Sequence, residues 1–144
     1  MSDEEEAQLL INIATINHQF TNEDFLKRLN GNVLSYTATK LAAMKASLVD
    51  MKVAAHRDSL DLEVEMDRQK ALAYGRAMAT SNATAAKELK YTDEEYIAAR
   101  AKYNEAKVRF ERLKSIVADA HDLIETIRSR TIDLQGARKD EGHR

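Results

Sequence analysis

From Tyr96 to Leu134 one helical face returns every seven residues: Tyr96, Ala99, Tyr103, Ala106, Phe110, Leu113, Val117, Ala120, Ile124, Ile127, Thr131 and Leu134 follow alternating steps of three and four. Such steps align a seam along one side of a single long helix. A seam of this length is stable in water only against another long helix, from the same chain or from a neighbour. Ile116 and Leu123 flank it and widen the face beyond what one partner helix covers. At least three helices are therefore expected to meet there. Either further copies of the chain supply them, with Phe110, Leu113, Ile116, Val117, Leu123, Ile124, Ile127 and Leu134 as oligomerisation residues, or the chain's own N-terminal helices cover the face.

Composition agrees with an all-α fold. The 144 residues include no proline, no tryptophan and only 4 glycines, and 32% are charged. Long helices are favoured, turns are few, and clusters of β-branched and aromatic residues between turn signals are almost absent. The lack of cysteine excludes a disulfide framework and thiolate metal sites. No apolar run approaches the roughly 20 residues of a membrane span, and the N-terminus is acidic rather than signal-like. The expectation is a cytoplasmic protein without membrane contact.

Along the chain, Leu9, Leu10, Ile13 and Ile16 lie at helical spacing after an acidic first turn. Thr21 ahead of Asp24 predicts a cap and a short helix ending near Asn30-Gly31. A first long helix is expected over about residues 34–78, with Leu41, Met44, Leu48, Met51, Ala55, Leu62, Met66 and Ala73 on its apolar side. The acidic cluster around Asp58 interrupts that side. Polar residues from Thr80 onward offer the break, and Thr92-Asp93-Glu94-Glu95 reads as a capping box with Thr92 as the cap. A second long helix follows over about 93–135, ahead of Gly136. The two long helices form a helical hairpin or an intersubunit coiled-coil bundle. The domain reading is an acidic helical extension (1–30), a long-helix assembly domain (31–138) and a charged tail (139–144).

No catalytic constellation is present. His18, His56, His121 and His143 are not paired at three or four residues, and there is no phosphate loop, nucleophile elbow or cysteine. Neither an enzyme nor a metal or cofactor site is expected, which leaves binding. The formal net charge of −2 hides local contrast: acids gather at Asp58, Asp61, Glu63, Glu65 and Asp67, and cations at 68–76 and 100–114. Arg68, Lys70, Arg76, Lys107, Arg109, Arg112 and Lys114 are the candidate nucleic-acid contacts. Tyr36, Tyr74 and Tyr91 lie off the seam and could stack on bases. A solvated coiled-coil face laced with Glu–Lys pairs explains the same residues equally well.

Several stretches carry a family resemblance: Glu105-Ala106-Lys107 through Leu113, the run Ile127-Arg128-Ser129-Arg130-Thr131-Ile132-Asp133-Leu134, Thr39-Lys40-Leu41, and Arg68-Gln69-Lys70-Ala71-Leu72-Ala73-Tyr74-Gly75-Arg76. Over roughly Tyr36 to Arg138 the chain resembles the UvsY-like recombination mediators of T-even-type phages. The resemblance implies an all-α homo-oligomer, a ring, that binds single-stranded DNA and helps a recombinase displace single-stranded-DNA-binding protein. It implies a DNA-contact role for Lys70 and Arg76 and an assembly role for Ile124 to Leu134. The other reading is a helical protein-binding module, a phage-encoded inhibitor or assembly factor, without nucleic-acid activity.

Overall fold

A computed structural model describes residues 2–142. It contains five α-helices and no strand among the described residues: α1 (Asp3–Phe20), α2 (Glu23–Lys27), α3 (Gly31–Thr80), α4 (Ala83–Leu89) and α5 (Glu94–Glu141), with a 3-10 turn at Lys90–Thr92 before α5. The all-α hairpin is the observed fold, with α3 packed against α5. Both long helices extend past their expected ends. Asn30 accepts from the Val33 amide at 2.9 Å and so starts α3 ahead of Leu34. Gly136 does not stop α5, because ending a helix at glycine needs a left-handed residue and none of the described residues has positive φ.

Two caps differ from expectation. Asn22, not Thr21, caps α2 by accepting from the amides of Asp24 and Phe25. Asp93, not Thr92, caps α5, its Oδ1 accepting from the Tyr96 amide at 3.1 Å. The Thr92 hydroxyl instead donates back to the Leu89 carbonyl at 2.8 Å. Asp93 sits one position nearer the helix, and its carboxylate there also accepts from the Arg76 guanidinium, an ion pair the Thr92 hydroxyl could not form.

By contacts the chain divides into two compact units, Met1–Val49 with Ser115–Arg144, and Asp50–Lys114. In the first, Ile13, Ile16 and Phe20 of α1, Leu34, Leu41, Met44 and Leu48 of α3, and Val117, Ala120, Leu123, Ile124 and Ile127 of α5 are buried. Across the pair, Lys45 Nζ lies 2.9 Å from His121 Nδ1. Asn17, Phe20 and Thr21 line one surface groove with Asp119, Asp122, Leu123 and Thr126, so the end of α1 is what covers Leu123. Burial of branched side chains drives this unit, at about 1.5–3 kcal/mol for each Leu or Ile fully removed from water.

The Asp50–Lys114 unit has a core of smaller residues: Met51, Ala55, Ser59, Ala73 and Ala77 of α3, Ala86 of α4, and Tyr96, Ala99 and Leu113 of α5. The interruption at Asp58 has a simple geometry. A strict seven-residue step from Met51 would put Asp58 inside. The observed line steps by four twice, Met51 to Ala55 to Ser59, leaving Asp58 exposed and Ser59 buried. The Ser59 hydroxyl is satisfied by donating to the His56 carbonyl at 2.7 Å. His56 stacks on Phe110 across the pair, with centroids 4.5 Å apart.

Candidate polyanion-binding flank

Within the Asp50–Lys114 unit the α3–α5 seam has two flanks, and their charges differ. On one side lie residues that immediately precede a seam position: Asp58, Asp61, Glu65 and Arg68 of α3, and Lys102, Glu105, Arg109 and Arg112 of α5. Asp58, Asp61, Lys102, Glu105 and Arg109 line one open groove of about 520 Å³ with Ala55, Leu62 and Ala106 at its base. The acidic cluster of α3 and part of the basic stretch of α5 thus face each other. The guanidinium of Arg68 holds the Glu65 carboxyl down to about 2, with Gln69 and Lys102 assisting. Arg68 donates to Glu65 through two bonds of 2.8 Å. This flank neutralises itself.

The other flank, marked by the His56–Phe110 stack, holds residues that immediately follow a seam position. Lys52 follows Met51 and Lys70 follows Gln69, while Arg100, Lys107 and Lys114 follow Ala99, Ala106 and Leu113. Glu63 and Glu111 are the acids on this side, with Asp67 at its outer edge where the flank meets the back of α3, so cations outnumber them. Lys114 reaches Glu111 at 3.8 Å, an exposed pair of little energetic weight. Lys107 lies over the Tyr103 ring at 5.8 Å from its centroid. Successive cations on α5 stand about 10 Å apart along the helix at 1.5 Å per residue.

Where α4 and the 3-10 turn join the unit, this flank acquires aromatic rings. Lys70 Nζ is 5.6 Å from the Tyr91 centroid, and Lys90 Nζ is 5.0 Å from Tyr91 and 6.0 Å from Tyr74. Tyr91 also meets Tyr96 edge-on at 6.0 Å and keeps 48% of its surface exposed. Exposed ring surface and ammonium groups thus stand side by side at this end of the flank.

The sequence-derived candidates are therefore separated. Lys70, Lys107 and Lys114 share the basic flank, and Arg68, Arg109 and Arg112 lie on the mixed one. Arg76, near the end of α3, is committed to the start of α5, donating to both oxygens of Asp93 at 2.9 and 2.8 Å and approaching Glu95 at 3.4 Å. That guanidinium depresses the Asp93 carboxyl below its ordinary value, and the Tyr96 amide adds to the effect. Tyr36, 71% exposed, belongs to the other unit. Lys52, Arg100 and Lys90 are additional members: Lys52 and Arg100 each follow a seam residue and were readable from the repeat, whereas Lys90 is brought in by the 3-10 turn.

The residues assigned to oligomerisation pack inside a single chain. Leu113, Val117, Leu123, Ile124 and Ile127 are buried, and Phe110, Ile116 and Leu134 are half-buried. No group of His, Asp and Glu among the described residues could hold a metal ion. No described helix is long and apolar enough to cross a membrane. His143 lies outside the described residues. No family model matches the chain, and neither does any curated protein or solved structure. The likeness to recombination mediators rests on the sequence stretches alone.

Proposed function

We propose that this chain binds single-stranded DNA along the basic flank of the Asp50–Lys114 unit and acts as a recombination mediator, presenting the strand to a recombinase in place of single-stranded-DNA-binding protein. The observation that supports the binding step is the exposed Tyr91 ring approached by both Lys70 and Lys90, at one end of the flank carrying Arg100, Lys107 and Lys114. Ammonium groups neutralise phosphates and release counterions, and an exposed ring stacks on a base of any identity. The mediator role is what the family resemblance adds.

Fluorescence anisotropy with a labelled oligonucleotide at low salt tests the binding step. Replacing Lys107 and Lys114 together by alanine should weaken binding and flatten the dependence on log salt by about 1.4, near 0.7 per lost phosphate contact on a single strand. Tyr91→Ala should weaken it further, whereas Lys102→Ala on the mixed flank should change little. Equal losses on both flanks, or no binding by the wild-type chain, would sink the assignment.

A protein-binding module is the second reading. It is favoured by the engagement of Arg68, Arg76 and Lys114 in ion pairs of the chain's own. Indifference to DNA combined with retention of a helical protein partner would select it.

A further inference from the structure

The back of α3 carries a second periodic line, directed away from the seam. Val53, Arg57, Leu60, Val64, Asp67 and Ala71 follow one another by steps of four, three, four, three and four, and all six are exposed. Val53 exposes 53% of its surface, Leu60 48% and Val64 70%. The spacing matches that of a helix seam prepared for a partner helix, and among the described residues nothing covers it.

The charges in the line identify the occupant. Arg57 and Asp67 stand symmetrically about the midpoint between Leu60 and Val64. Neither forms an ion pair with another described residue. When a second α3 is laid antiparallel on this face, with a two-fold axis through that midpoint, Arg57 of each copy meets Asp67 of the other. The same operation sets Leu60 against Val64 and Val53 against Ala71. A parallel arrangement would oppose Arg57 to Arg57 and Asp67 to Asp67. Self-complementarity of one patch under a two-fold axis is the signature of an isologous dimer.

We propose that this face of α3, from Val53 to Ala71, pairs antiparallel with the same face of a second copy. The contact covers five helical turns, about 27 Å, with three branched side chains per copy. An interface so narrow belongs with the small, weak ones, so association in the micromolar range is expected. The assignment does not depend on DNA binding, because Lys107, Lys114 and Tyr91 take no part in it.

Sedimentation equilibrium of the full chain, from micromolar to several hundred micromolar, provides the test. Wild-type protein should show a monomer–dimer equilibrium. Arg57→Glu and Asp67→Arg should each weaken it about tenfold, since each exchanges two attractive contacts per dimer for two repulsive ones. An equimolar mixture of the two variants should recover wild-type affinity, because the heterodimer alone restores opposite charges at both contacts. Circular dichroism should show unchanged helicity, the sites being exposed. A wild-type chain that stays monomeric throughout, variants that associate like wild type, or a mixture no tighter than its components would each overturn the proposal.

Discussion

Ile127 and Val64 are both β-branched aliphatics on long helices, yet the first is fully buried and the second 70% exposed. Ile127→Ala should therefore cost about 2–5 kcal/mol in chemical denaturation, through lost transfer energy and a residual cavity. Val64→Ala, in dilute protein, should stay within about 0.5 kcal/mol. Asp93 combines two roles, capping α5 and receiving both guanidinium bonds of Arg76. Its carboxyl is depressed in the folded chain, as is that of Glu65, which falls from 4.5 to about 2. A group with a depressed folded pKa contributes stability that is complete above its unfolded pKa and is lost as the pH falls toward the folded one. For Glu65 that window runs from 4.5 down to about 2. Thermal melts should accordingly decline below about pH 4.5, and Asp93→Asn should lower the melting temperature at neutral pH more than in acid. A melting temperature unaffected by Asp93→Asn at pH 7 would show that the Arg76 contact does not hold the turn.

At the scale of elements, α5 was the most legible part of the chain. Every seam residue from Tyr96 to Leu134 is buried or half-buried, because an uninterrupted repeat leaves one face with nowhere else to go. The helix α3 was less legible. Its repeat shifts at Ser59, and a serine inside a seam is recognisable only once its hydroxyl is seen to donate to the His56 carbonyl. Helix ends were misplaced for a related reason, since glycine stops a helix only where the chain turns back in left-handed geometry. Gly75 and Gly136 are helical, and an added Cβ at either would meet nothing within 4 Å. Gly75→Ala should thus stabilise the protein by about 0.5–1 kcal/mol by restricting the unfolded chain. A lower denaturation midpoint for that variant would indicate a contact that the open surroundings do not suggest.

For the molecule as a whole, the amino-acid sequence by itself determined the class and much of the architecture. A long apolar repeat, few turn residues and no proline permit little besides long helices that bury one another's stripes, and the polar break near Thr80 is where they reverse. Periodicity is local to one helix, so it can be read without knowing the partner. Only the tertiary structure decided what covers each surface and which charges remain available. The seam's extra residue Leu123 is covered by α1, Arg76 is committed to Asp93, and the cations of residues 100–114 divide between a flank opposed by Asp58 and Asp61 and a flank richer in lysine and arginine. These outcomes depend on the antiparallel register between residues far apart in the chain. A shift of one residue turns a helix by about 100° and would carry one flank into the seam, and nothing in a single helix's pattern records that choice.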